Sequence, residues 1–384
     1  MDIKLSKTAE LLAKINYMKK QGETVYQMTA GEPDFDTPDV IKFACIDALK
    51  NGKTKYIPAS GLPELKQEIV KKFANNGIKT SVENIVISTG ARCSLFEAIA
   101  SIVSTGDEVI IFSPYWLSYT EMIKSIGAKP VIVETRMDNG FMPLRNDLEK
   151  VISNNTKLII LNSPNNPTGT VYNLETLQMI ADIAVQNHIM VISDEIYEKL
   201  IYSDVKHISI ASLSEAIADL TITINGFSKT YAMTGWRLGY LNAPLKIAKK
   251  ISALQSHITG NSTSFVQYGA LAALKGFADK NVYFMVEEFY KRRNLLCSLL
   301  QEIPRIKFFI PEGAFYVWVD ISDLKILADD FSDRLLEEEK LAVMPGTDFG
   351  SPFHIRLSFA CSESNIKEAI YHLEKLIIHL IKES

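Results

Sequence analysis

Lys229 stands in the segment GFSKTYAMTGWRLG (226–239), between an apolar, β-branched run at 221–224 and a second apolar run at 238–241. A lysine placed among small residues just past a buried strand loses part of its hydration. Its pKa falls and its amine becomes a nucleophile near neutral pH. That is the amine that Schiff-base chemistry with an aldehyde requires. A lysine taken alone is usually a solvated surface charge, so the argument rests on what accompanies it.

Four other clusters follow apolar runs in the same way. Ser88-Thr89-Gly90-Ala91-Arg92 follows the run at 85–87 and opens a helix, where free backbone N–H groups and the helix dipole suit a phosphate. Ser113-Pro114-Tyr115-Trp116 follows 109–112 and offers an aromatic face for a planar ring, although a loop Trp often only packs. Asn162-Ser163-Pro164-Asn165-Asn166-Pro167-Thr168-Gly169 follows 158–161; turn chemistry explains its Pro and Gly but not its three amides. Ser193-Asp194-Glu195-Ile196-Tyr197 follows 189–192, where an acid can also serve as a plain helix cap.

The elements that must hold these clusters are legible in the same pattern. Short apolar runs at 85–87, 109–112, 131–133, 158–161, 189–192, 221–224 and 238–241 alternate with helical stretches such as 94–103, 116–126 and 174–186. That alternation predicts an α/β fold, with a mostly parallel seven-stranded sheet covered by helices on both faces. In such sheets ligands sit beyond the carboxyl ends of the strands, which is where the unusual residues fall. Thr37-Pro38 predicts a helix over 39–50, and Leu65, Ile69 and Phe73 predict a second one ending at Asn76-Gly77. A weak apolar stripe marks a helix in the first 20 residues. After residue 285 come a helix at 286–300, strands at 313–319 and 354–359, and a last helix carrying Ile366, Ile370, Leu373, Ile377 and Leu380. The expected division is a large domain at 45–285 and a smaller α+β domain made of 1–44 and 286–384.

Pyridoxal 5'-phosphate gives one physical reason for the whole set. Its aldehyde needs Lys229. Its ring nitrogen must stay protonated, which the carboxylate of Asp194 would secure. Its phenolic oxygen would meet Asn166 and Tyr197, its ring Trp116, and its phosphate the turn of Gly90, Ala91 and Arg92 together with Arg237.

The segment 226–239 resembles, at every specified position, the cofactor-attachment signature of class I aminotransferases, and the likeness extends over nearly the full chain. It runs from Gly31-Glu32-Pro33-Asp34-Phe35 through Asn165-Asn166-Pro167-Thr168-Gly169 to the lysine segment. The resemblance implies the fold type I architecture, a three-layer αβα large domain, and ping-pong transamination in which Lys229 moves the substrate α-proton. It implies that Gly31 borders the substrate. It also implies that Tyr56 reaches the cofactor phosphate of a neighbouring subunit, which makes the active unit a homodimer with shared sites. Arg356, in His354-Ile355-Arg356-Leu357-Ser358, matches the arginine that clamps the substrate α-carboxylate. Strand alternation agrees, because it sets Arg356 opposite Ile355 and Leu357.

Within that family the chain is similar to bacterial aspartate aminotransferases, some of which accept prephenate. Ser6 and Thr8 resemble a Ser-x-Thr segment of that subgroup, with Leu5 where a Pro is usual. Arg92 occupies the place of a lysine that meets the distal carboxylate, and Ala91 that of a glycine. The leading expectation is therefore an aspartate donor with 2-oxoglutarate. Aromatic, alanine or broad-range transamination and a β-eliminating lyase of the same fold remain open, as does a solvated Arg92.

Other classes find less support. A nicotinamide dehydrogenase wants G-x-G-x-x-G after a first strand, and the 384 residues contain none. A non-catalytic relic would ordinarily carry a DNA-binding domain, for which no residues are left over. The net charge of −4 without a basic block argues against nucleic acid. The N-terminus lacks a secretory core and no apolar run approaches a bilayer span, so no membrane is expected. The four cysteines are widely spaced and the six histidines show no metal-ligand spacing. The expectation is a cytoplasmic protein with reduced thiols and no metal.

Overall fold

The structure is a computed structural model that describes residues 7–202 and 204–383, with side chains from residue 10 onward. Seven strands form the main sheet: β1 (Ile85–Ser88), β2 (Glu108–Ser113), β3 (Lys129–Glu134), β4 (Thr156–Asn162), β5 (Met190–Asp194), β6 (Thr221–Gly226) and β7 (Gly239–Asn242). Their order is β1-β7-β6-β5-β4-β2-β3. All neighbours are parallel except those of β7, which runs antiparallel to both β1 and β6.

The strands carry apolar side chains on both faces, which is why they read as continuous hydrophobic runs. Val109, Ile111, Leu158, Ile160 and Ile192 pack on one side with Leu95, Ala98, Ile99 and Ile123. Ile110, Phe112, Ile159, Leu161 and Val191 pack on the other with Leu177, Ile180 and Ala184 of the helix Leu174–Asn187. The period of two sends alternate residues to opposite helix layers, giving a three-layer αβα arrangement. A third core, around Ile85, Ile87 and Tyr240, is closed by Leu65, Ile69 and Phe73 of the helix Pro63–Asn75.

A second, antiparallel sheet has the order Met344–Pro345, His354–Ser358, Tyr316–Asp320, Lys307–Phe308. It packs against the helices Asp279–Gln301, Ala328–Glu339 and Glu363–Glu383 through Phe289, Phe315, Phe331, Ile366 and Leu373. The short strand Tyr26–Gln27 pairs in parallel with Leu341–Ala342, tying the N-terminal segment to this layer.

Several boundaries differ from the sequence expectation. The helix placed at 94–103 begins at Ala91, because Gly90 at φ 88° turns the chain directly into it. The helix placed at 116–126 is Ser118–Ser125, and Trp116 stays in the loop that precedes it. The helix Asp39–Lys50 runs unbroken across residues 44 and 45, with Ile41 in the core of the main sheet. Likewise the helix Asp279–Gln301 crosses 285 and 286, with Met285 and Phe289 in the core of the second sheet.

Candidate active site

A cavity of about 710 Å³ opens at the carboxyl ends of β4, β5 and β6, where the second sheet faces the first. Lys229, Asp194, Tyr197, Ala91, Arg92, Trp116, Asn166, Arg237, Gly31 and Arg356 all line it. Chain positions hundreds of residues apart are thus brought to one place.

Lys229 and Arg237 share one loop. β6 and β7 pair at Gly226 and Gly239, so the residues between them form a closed excursion from the sheet edge. Lys229 Nζ donates to Gly31 O at 2.5 Å, and the Tyr197 and Phe315 rings lie about 6 Å away (6.0 and 5.9 Å). Burial lowers the Lys229 pKa to about 8; Glu32 opposes the fall, and the guanidiniums of Arg356, Arg237 and Arg92 reinforce it. The lysine is therefore partly neutral at physiological pH, as a nucleophile must be.

Asp194 ends β5. Its Oδ2 accepts from Tyr119 Oη at 2.6 Å and its Oδ1 from Ile196 N at 3.3 Å. Burial raises its pKa to about 6, while these two donors pull it back. Tyr197 Oη lies 3.0 Å from Tyr316 Oη. Asn162 Nδ2 donates to the backbone oxygen of Asp194 at 2.9 Å, and Asn162 Oδ1 accepts from Asn166 N at 2.8 Å. Asn165 Oδ1 meanwhile accepts from Thr168 N and Thr168 Oγ1, at 3.2 and 2.9 Å. The three amides of this loop therefore have separate tasks: two brace the turn, and Asn166 is aimed into the cavity.

Arg356 is 5% exposed, stacked over Tyr316 at 4.3 Å, and donates from Nη1 to Asn166 Oδ1 and from Nη2 to Thr29 O, both at 3.0 Å. Its Nε is buried without a partner. Among the described residues, no carboxylate lies within salt-bridge distance of Arg356, Arg92 or Arg237. Arg92 and Arg237 are exposed, but Arg356 is a buried cation without an anion, which is costly, so its part of the site is completed by an anionic ligand. Arg92 stacks on Trp116 at 4.8 Å, and Trp116 in turn meets Tyr119 edge to face.

At the helix start, Cys93 N and Ser94 N return to Gly90 O, and the amides of Ala91 and Arg92 meet no acceptor among the described residues. A Cβ on Gly90 would sit 2.6 Å from Arg237 Nη2, so the glycine makes room for the guanidinium beside those amides.

Tyr56 is 94% exposed and does not line this cavity. Ser6 lies outside the described residues, and so does the side chain of Thr8, although its helix, Lys7–Lys20, brings Leu11 and Leu12 to the cavity. Sequence reasoning missed Tyr119, Asn162 and Tyr316 as functional residues. Asn162 alone stood in a marked motif; the two tyrosines have the spacing of ordinary core aromatics.

These residues fit pyridoxal phosphate. An amine of lowered pKa, a buried carboxylate, a glycine-lined helix start and arginines without acidic partners match its aldehyde, ring nitrogen and phosphate. Fold and site together define a pyridoxal-phosphate-dependent enzyme of fold type I.

The chain belongs to the aminotransferase class I and II family, whose model matches residues 23–373, and it is an aminotransferase. It is 44% identical over 380 residues to a probable aspartate/prephenate aminotransferase of Aquifex aeolicus, covering 98% of this chain and 96% of that one. To an aspartate aminotransferase of Bacillus subtilis it is 41% identical, covering 97% and 96%. The solved aspartate aminotransferase of Thermus thermophilus with maleate superposes with a TM-score of 0.94 at 39% identity, covering 97% of each chain.

Proposed function

We propose that this aminotransferase uses aspartate as its preferred amino donor and 2-oxoglutarate as acceptor. The observation that carries this reading is the set of arginines lining the cavity, Arg237, Arg356 and Arg92, none with a carboxylate partner among the described residues. They suit, in turn, a phosphate, an α-carboxylate and a distal carboxylate. The aspartate aminotransferases among the relatives support the same choice.

In this reading the amides of Ala91 and Arg92, with Gly90 and Arg237, hold the cofactor phosphate. Asp194 keeps the ring nitrogen protonated, Asn166 and Tyr197 meet the phenolic oxygen, and Trp116 covers the ring. Bound pyridoxal phosphate supplies the electron sink for the pair left when the substrate's α-proton departs. Lys229 Nζ, released by the incoming amine, takes that proton as a base and returns it as an acid. Arg356 fixes the α-carboxylate beside Gly31 and Asn166, and Arg92, with Ser6 and Thr8, receives the distal one. Donor and acceptor pass through one cavity in turn, which is a ping-pong order.

The same reading assigns residues 1–44 and 286–384 to a small domain and 45–285 to a large one. The active unit is a homodimer in which Tyr56 serves the partner's site. Phe43, Ile46 and Leu49, exposed on the helix before Tyr56, offer apolar surface for that contact. The location is cytoplasmic, in keeping with four free cysteines. Among the described residues no helix is long and apolar enough to cross a membrane.

A panel of amino donors against 2-oxoglutarate, repeated on Arg92→Ala, tests the substrate assignment. The expected result is a loss in kcat/KM of roughly tenfold or more for aspartate and little change for alanine. Equal losses for both would refute the dicarboxylate reading.

A further inference from the structure

Beyond the end of β5 the chain alternates two kinds of side chain. Asp194 and Tyr197 line the cavity, whereas Glu195 and Glu198 are buried behind it. Glu195 Oε1 accepts from Ser209 Oγ at 2.6 Å and Ser193 Oγ at 3.0 Å, and its Oε2 lies 3.0 Å from His207 Nε2. Glu198 is held by Lys72 Nζ at 2.7 Å on each oxygen and by Asn76 Nδ2 at 2.7 Å.

The ligand atoms of Glu195, Glu198 and His207 lie within 4.8 Å of one another, close enough to suggest a metal site. Lys72 already bridges both oxygens of Glu198, and Glu195 already accepts from Ser193 and Ser209 and meets His207. The cluster is better read as a charge balance: of the two buried carboxylates Lys72 touches only Glu198, and the exposed Lys199 acts at Glu198 as well, so the cation in contact with Glu195 is left to His207. Burial pulls the His207 pKa down, but Glu195 and Glu198 outweigh it and leave the imidazole raised, with Lys72 opposing them. Lys199 adds its charge at Glu198. The groups facing Asp194 are Tyr119, Glu195 and Lys229, with Tyr197 alongside.

We propose that His207, held as an imidazolium on Glu195, is a positioning residue for Asp194: it cancels the Glu195 charge behind the carboxylate and fixes the turn that aims Asp194 and Tyr197. The inference rests on Asp194 serving the cofactor ring nitrogen, as proposed above.

His207→Gln keeps a donor to Glu195 but removes the charge. The pH at which the bound cofactor's visible absorbance titrates should then rise by about half a pH unit or more, as expected for an uncompensated buried charge beside the site. The pair Glu195→Gln with His207→Gln, neutral on both sides, should return it to the parent value. An unchanged titration in His207→Gln, or a shift that the double variant does not reverse, overturns the proposal. NMR of the histidine-labelled holoenzyme should show the His207 ring protonated at pH 7, and a neutral ring there also overturns it. Asp194→Asn tests the underlying reading separately, since cofactor affinity should fall at least tenfold; unchanged affinity would sink the site assignment while leaving the His207 NMR result intact.

Discussion

Tyr119 donates its phenolic proton to Asp194 Oδ2 at 2.6 Å, with both side chains buried. Burial drives the Asp194 carboxyl up to about 6, and the phenol is the foremost group drawing it back. A hydrogen bond to an ionised carboxylate contributes about 1.5–3 kcal/mol, so this one contact decides how fully Asp194 is charged near neutral pH.

Tyr119→Phe should therefore raise the Asp194 pKa and weaken cofactor binding by about tenfold at pH 7. The sign follows from the carboxylate being the useful form: raising the pH restores it, so the defect should shrink at pH 8.5. Dissociation constants from fluorescence titration at the two pH values check this. A defect of equal size at both would point to lost packing instead.

Lys229, with its pKa lowered to about 8, is an ammonium below that pH and a free amine above it. In cofactor-stripped enzyme the rate of pyridoxal phosphate capture should climb about tenfold per pH unit up to pH 8 and level off beyond it. Stopped-flow absorbance follows the reaction. A rate still climbing at pH 10 would show an unperturbed lysine. Lys229→Ala should lose activity by about a thousandfold or more and retain no cofactor mass after borohydride reduction.

Arg356→Lys replaces a fork held by Asn166 and Thr29 with a single ammonium. Steady-state kinetics should show kcat/KM reduced about a hundredfold for every amino and oxo acid, mostly through KM, because the α-carboxylate is common to all. Cofactor affinity should stay near the parent value. Selective damage to dicarboxylates alone would contradict the assignment.

Gly90→Ala would place a non-glycine residue at φ 88° and press its Cβ toward Arg237 Nη2. The backbone cost is about 1–2 kcal/mol, enough to lower Tm by a few degrees. The displaced guanidinium should also weaken cofactor retention severalfold. Calorimetry and dialysis measure the two effects, and a variant with parent Tm and retention would exclude the tight approach.

The sheet was legible because its strands are apolar on both faces, and the clusters at their ends because they hold amide, acidic, aromatic and lysine side chains beyond what a turn requires, after one run after another. Lys229, Asp194, Tyr197 and Asn166 could be picked out for that reason, and Arg356 by the family resemblance and strand alternation; the structure brings them into one cavity. Tyr119 and Tyr316 could not: each sits in a regular element with core-like spacing, and only the fold shows what its hydroxyl meets. The Glu195–His207 pair was equally hidden, since two residues 12 apart carry no periodic signal. Trp116 belongs in the sequence both to the loop cluster 113–116 and to the head of the helical stretch 116–126; it lies in the loop, which lets it stack under Arg92.

The antiparallel return of β7 alongside β6 has a consequence for how this scaffold can diversify. The amine of Lys229 and the guanidinium of Arg237 hang from a single hairpin pinned at Gly226 and Gly239, so the gap between them is gauged locally. Arg92 and Arg356 hang from other parts of the chain, a helix start and the second sheet. New acceptors can thus be accommodated by altering those outer supports while the gauge for the coenzyme keeps its length.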